Sequence, residues 1–142
     1  MDRKTLDNWL MECRLHLTTE LLPFWLNRTR DEAHGGYITH FDKEGKDTGE
    51  NEKSMIAQTR TLYSMSSAAR AGYEVPQCTG LARHGLDFLI RKMWDRQDGG
   101  FYWTVDRKGH VVQDDKIVYG HSFAIYALTE YTMATGDQTG LR

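Results

Sequence analysis

Apolar and polar positions along the 142-residue chain fall into four helical stretches separated by loops rich in glycine. From Thr5 to about Asn27, Leu6, Trp9, Leu10, Cys13, Leu17 and Leu21 recur at a spacing that lines one face of a helix. Pro23 is expected to bend or end that helix. Between Lys53 and Ala71, the positions Met55, Ile56, Thr59, Leu62, Tyr63, Ser66 and Ala69 predict a second helix. A third runs from Cys78 to about Asp95 on Leu81, Leu86, Phe88, Leu89 and Met93, with Thr79 as its cap. The fourth, Ile117 to Ala134, carries Val118, Phe123, Ile125, Ala127, Leu128 and Tyr131. These cannot all face one neighbour, so this helix is predicted to be buried on most sides.

The chain also repeats itself. Gly35-Gly36-Tyr37 through Gly45 matches Gly99-Gly100-Phe101 through Gly109 at an offset of 64 residues. Downstream, Glu52-Lys53 matches Asp115-Lys116 at an offset of 63, and Leu62-Tyr63 matches Ile125-Tyr126. Each copy reads as a glycine pair, an alternating segment suited to a short strand, and a tight turn at Asp42 to Gly45 or Asp106 to Gly109. An acid–lysine pair and a long apolar helix follow. Glu52, Asp114 and Asp115 are expected to complement the dipoles of the helices that Lys53 and Lys116 begin.

The predicted fold class is all-α: two helical hairpins with small β-hairpin loops, forming part of an α/α toroid. Residues 1–142 are read as one domain with repeat units at about 5–71 and 78–135. A toroid of this kind needs about six such units, so the chain is expected to be the N-terminal part of a barrel of roughly 400 residues. Otherwise its open edges must be covered by self-association, as in a homodimer, because bare apolar helix faces aggregate.

Composition narrows the function. The net charge is −2, with Lys and Arg scattered among Asp and Glu, which gives no electrostatic case for nucleic acid. No apolar run approaches the roughly 18 residues of a spanning helix, so no membrane partner is expected. Cys13 and Cys78 lie far apart with no metal or redox spacing, which favours free thiols in the cytoplasm. No phosphate-binding glycine loop, nucleophile elbow or zinc motif occurs in the sequence, and neither cofactor nor metal is expected.

Polar groups on the apolar helices are the candidates for chemistry. Arg60 shares a helix face with Ile56 and Tyr63, and there it either pairs with a structural carboxylate or points into a cavity. In a cavity, its planar set of donors suits a carbonyl or enolate oxygen. Tyr119-Gly120-His121 opens the fourth helix. His121 aligns with Gln58 and is either satisfied by backbone or available to a ligand, while Tyr119 either donates to a sugar hydroxyl or packs in the core. His34, His40 and His110 read as solvated loop residues. Trp94, Tyr102 and Trp103 read as helix-end packing, with sugar stacking as the alternative.

Gly35-Gly36-Tyr37, Lys53-Ser54-Met55, Gln58-Thr59-Arg60, Asp98-Gly99-Gly100-Phe101-Tyr102-Trp103 and Tyr119-Gly120-His121-Ser122-Phe123 through Tyr131, with Ala134-Thr135-Gly136-Asp137, carry a further signal. Together they resemble the N-terminal third of the N-acylglucosamine 2-epimerase family. That family includes N-acyl-D-glucosamine and cellobiose 2-epimerases and mannose- or sulfoquinovose-type aldose–ketose isomerases. The resemblance implies an (α/α)6 barrel and a small-molecule substrate, an unphosphorylated aldose or N-acylhexosamine. It also implies proton transfer at C2 through a cis-enediolate. Arg60 matches the family arginine at the enediolate oxygen, and Tyr119, His121 and Ile56 match positions near the sugar. Ile56 replaces an aromatic residue found in some members, and His121 stands where relatives more often carry Gln or another residue. The family's acid/base histidines lie beyond residue 142, so these residues alone are expected to be inactive. Two alternatives are an (α/α)6 glycoside hydrolase, for which only Glu130 offers an inner carboxylate, and a non-catalytic carbohydrate-binding or assembly module.

Overall fold

The structure is a computed structural model that describes residues 2–141. It begins with α1 (Arg3–His16), a π-helical turn at Leu17–Leu21 and α2 (Leu22–Arg28), which run on as one long helical arm. Asp2 caps the arm, its carboxylate accepting the Thr5 N–H at 2.8 Å. Pro23 does not stop the helix. The widened turn ends just before it, so the missing proline N–H falls at the start of a fresh helical segment, where no partner is needed.

A short strand β1 (Glu52–Ser54) leads into α3 (Met55–Arg70), which Ser54 caps through the Ala57 N–H. Then come α4 (Val75–Phe88) with a second π turn at Leu89–Met93, strands β2 (Thr104–Asp106) and β3 (Val111–Gln113), and α5 (Val118–Thr135). α4 starts three residues earlier than its apolar pattern predicts, because Pro76 favours the first turn; Thr79 bonds back to Val75 O instead of capping. β1 pairs antiparallel with β2, and β2 with β3, so one small sheet ties the two halves of the chain together. The first copy's alternating segment is no strand. It makes only the isolated bridges Arg30–Tyr37 and Phe41–Asp47, and Lys53 sits in β1 ahead of its helix.

The two loops are built alike. Asp31 N–H donates to Gly36 O, Gly35 N–H donates to Asp31 O, and the Asp31 carboxylate receives the Ala33 and His34 N–H groups. Asp95 repeats this with Gly100, Gly99, Gln97 and Asp98. A lysine closes each loop, Lys53 to Asp31 and Lys116 to Asp95, both at 2.9 Å. Both Asp–Gly turns form, with Gly45 N–H on Asp42 O and Gly109 N–H on Asp106 O.

The core lies where α3 packs along α4 and α5, with Tyr37, Met55, Leu62, Leu86, Leu89 and Met93 fully enclosed. Two apolar helix faces lie outside it. No residue of α1 is buried, and Leu6, Trp9, Leu10 and Leu15 are each at least half exposed. α5 is covered on one side only, so its all-round apolar sequence does not translate into all-round burial: Val118, Ile125 and Met133 are bare. The apolar periodicity registers that these faces seek cover, and nothing in the described residues supplies it.

Candidate functional site

Helical spacing places Ile56, Arg60 and Tyr63 along one face of α3, and Tyr119, Phe123 and Tyr126 at the matching positions of α5. The two rows meet. The Arg60 guanidinium lies 5.7 Å from the centroid of the Phe123 ring. Tyr119 packs edge-on against the same ring at 5.1 Å. Tyr63 and Tyr126 stack at 4.0 Å with their planes 16° apart.

Arg60 is exposed, and among the described residues no carboxylate lies within ion-pair distance of it. Of the two readings its sequence context allows, the structural ion pair is therefore absent. Instead Arg60 lines a cleft of about 440 Å³ together with Ile56, Thr39 and Trp25. The Thr39 hydroxyl in that lining is buried and has no hydrogen-bond partner. A guanidinium resting on an aromatic face keeps its N–H edges free for an oxygen.

The other polar candidates serve the scaffold. His121 donates from Nδ1 to Ile117 O and accepts the Phe101 N–H at Nε2, both at 2.9 Å, so neither ring nitrogen is left for a ligand. The ring turns towards the glycine loop, as Gln58 does for Tyr37 in the first half. Glu130 forms a 2.7 Å pair with Arg70 across the seam of α3 and α5, so it is not an open inner carboxylate. Trp103 packs over Gly120. Lys116 lies 3.9 Å over the Tyr102 ring while it holds Asp95. Lys116 and two loop N–H groups pull the Asp95 carboxyl down to about 2. Burial pushes the Lys53 ammonium down while Asp31 opposes that shift. Asp31 in turn is held below the ordinary aspartate range by Lys53 and Arg107, although burial works against them. No group of three metal-ligating side chains occurs among the described residues.

Thr39, Phe123 and the Tyr63–Tyr126 stack escape sequence reasoning. The aromatics carry the same apolar signal as core residues, and an unpaired threonine has no sequence signature. The one available clue is the repeat, which sets Arg60 and Phe123 at equivalent places on neighbouring helices.

Known proteins are similar to this chain in sequence and fold. Residues 36–141 match the family described as N-acylglucosamine 2-epimerase. A cellobiose 2-epimerase of Dictyoglomus turgidum is 33% identical over 99% of this chain and 35% of its own length. One from Bacteroides fragilis is 34% identical over 92% and 33%. The structure of cellobiose 2-epimerase from Spirochaeta thermophila superposes with a TM-score of 0.90 at 30% identity, covering 98% of this chain and 34% of that one. The chain thus spans about a third of the length of the curated relatives it matches, and its helices form part of an (α/α)6 barrel. From the glycine loops to the last turn of α5, the chain belongs to the N-acylglucosamine 2-epimerase family.

Proposed function

We propose that this chain forms the enediolate-stabilising portion of a sugar 2-epimerase or aldose–ketose isomerase acting on an unphosphorylated aldose or N-acylhexosamine. The observation that carries this reading is Arg60: an unpaired guanidinium on an inner helix, beside a cleft, in a chain of this family. Loss of the proton at C2 of an open-chain aldose puts negative charge on the C1 oxygen. A fixed cation whose N–H edges need no reorganisation stabilises that charge as it develops. Return of the proton to C2 on the opposite face inverts the centre, and its delivery to C1 gives the ketose. Ile56 and Tyr119 flank Arg60 on the same inner surface and contribute apolar contact and a phenol hydroxyl to the sugar.

The six residues of this surface include no carboxylate and no imidazole. The acid and base that move the proton therefore come from outside it, and the 142 residues alone are inactive. The same fact favours a second reading, a carbohydrate-binding surface without turnover, because four of the six side chains are aromatic. A glycoside hydrolase would need two facing carboxylates, and Glu130 is already paired. The free thiols Cys13 and Cys78 fit a reducing cytoplasm, and no helix among the described residues is long and apolar enough to cross a membrane.

The test incubates the full gene product and the 142-residue chain with cellobiose, mannose and N-acetylglucosamine in deuterated water, following loss of the C2 proton signal by NMR. Exchange is expected in the full product and absent from the short chain. Binding without exchange supports the carbohydrate-binding reading, and neither binding nor exchange with any of the sugars overturns both.

A further inference from the structure

The turn after β2 reaches back from the second half of the chain into the loop of the first. Arg107 donates from Nε to Asp31 at 3.0 Å and from Nη2 to Asp47 at 2.8 Å. Its own N–H donates to Asn51 O, and its carbonyl oxygen receives the Lys53 ammonium at 3.2 Å. Alongside, β2 pairs with β1, and the Met55 N–H that opens α3 donates to Trp103 O. Asp31 Oδ2 therefore accepts two cations, Lys53 from its own half and Arg107 from the hairpin of the next.

The second half presents the same socket without its arginine. By the repeat, Asp95, Lys116 and Asp114 correspond to Asp31, Lys53 and Asn51, the loop and strand-entry groups that Arg107 touches. Those three counterparts together line a cavity of about 660 Å³. Asp95 matches Asp31 atom for atom: its Oδ1 takes two loop N–H groups, and its Oδ2 takes Lys116 but no guanidinium. Trp94 and Tyr102 also line the cavity, and a planar guanidinium stacks on such rings. Arg91, Lys92 and Arg96 share the lining with Asp98, so the socket selects by the fixed Asp95 oxygen and not by net charge. Asp115–Ile117, the counterpart of β1, is exposed and pairs with no strand among the described residues. The Val118 N–H, counterpart of the Met55 N–H, has no backbone partner there. A free edge of this kind takes up another strand through main-chain hydrogen bonds.

We propose that Asp95 and the Asp115–Ile117 edge form a docking socket for an arginine-bearing β-hairpin, the counterpart of residues 104–113. The repeat that comes next in the barrel of the full gene product supplies it. Its first strand pairs with Asp115–Ile117, and its arginine donates to Asp95 Oδ2 beside Lys116. The joint between successive repeats is thus a carboxylate shared by two cations, a lysine from the same repeat and an arginine from the next. This docking rests on the repeat and on membership of the family, and it is independent of the proposed chemistry at Arg60.

The experiment is modification of the folded full gene product with phenylglyoxal, read arginine by arginine through peptide mass spectrometry. Asp95→Asn removes the charge of the socket and nearly keeps its shape. In that variant one arginine outside residues 1–142 is expected to react at least about tenfold faster than in the parent, the size of one charge-assisted hydrogen bond. Asp31→Asn is expected to raise the reactivity of Arg107 in the same way. Lys116→Met loosens the second loop but leaves the carboxylate in place, and is expected to leave the docked arginine protected. Hydrogen exchange in the parent is expected to find the Val118 N–H as protected as that of Met55. An Asp95→Asn protein in which no arginine outside residues 1–142 changes overturns the proposal. So does equal exposure in Lys116→Met, the mark of general loosening, or a Val118 N–H that exchanges freely in the parent.

Discussion

Gln58 and His121 stand 63 residues apart and hold the same backbone group in successive halves of the chain. Gln58 Oε1 accepts the N–H of Tyr37 at 2.8 Å, and His121 Nε2 accepts the N–H of Phe101 at 2.9 Å, each just after a glycine pair. The Gln58 amide also donates to Tyr37 O, whereas His121 anchors itself on Ile117 O. His121→Gln is therefore expected to be nearly neutral. His121→Ala leaves a buried N–H unpaired and is expected to cost about 1–3 kcal/mol in urea unfolding.

Asp31 and Lys53 form a pair whose side chains are 2% and 3% exposed. Lys53→Met strips one of two cations from a buried carboxylate, leaving it Arg107 and two loop N–H groups, and is expected to lose about 3–5 kcal/mol of stability. The double variant Asp31→Leu/Lys53→Met is expected to lose less than the single one. Lys116→Met, at the equivalent but more open pair, is expected to lose less than Lys53→Met in the same melts.

Acid sensitivity follows from two depressed carboxyls. Asp95 is held at about 2 chiefly by Lys116, and Asp106 at about 2 chiefly by the His110 N–H. Because these values lie below that of a free aspartate, their contribution to stability is complete above about pH 4. It is lost as pH falls towards 2. In thermal melts from pH 5 to pH 2, Asp95→Asn is expected to flatten the decline; an unchanged slope would show that Asp95 does not carry it.

Gly85 carries Tyr37 so closely that an added Cβ would collide with the phenol ring and its oxygen, which donates to Leu81 O at 3.0 Å. Gly85→Ala is expected to push Tyr37 from its buried place and lower stability by at least about 1–3 kcal/mol. Tyr37→Phe is not expected to rescue alanine at position 85, because the ring carbons Cζ and Cε2 crowd that Cβ as the oxygen does, whereas Tyr37→Leu, which removes the ring, is expected to tolerate it better.

Much of this fold was legible in the pattern of residues. The four helices, the loop turns and the face shared by Ile56, Arg60 and Tyr63 all follow from spacing, because a helix converts period into position. The extent of burial was not legible. Val118 and Ile125 are as apolar as Met55 and Leu62, and only the presence of a neighbour separates bare from buried. Lys53 reads as a helix-start residue and turns out to be a buried clamp, since its partner Asp31 lies 22 positions upstream. The contacts of His121 to Ile117 O and the Phe101 N–H have no sequence signature, since one partner lies on its own helix and the other in a loop 20 positions upstream. Phe123 reads as core until Arg60 is found above it.

That contact has a functional consequence. Removing the aromatic platform by Phe123→Leu is expected to lower turnover of the full gene product about two- to fivefold, the size of an exposed cation–π contact, while Phe123→Tyr restores it.

The most direct test of the account is the rate of C2 proton exchange in the full gene product when Arg60 becomes methionine. The chain length and apolar stem are kept while the charge goes, so helix packing is unchanged. The expected result is a fall in turnover on the order of 10²–10³-fold with the fold intact. An Arg60→Met protein that exchanges the C2 proton of its sugar as fast as the parent would contradict the role assigned to this guanidinium.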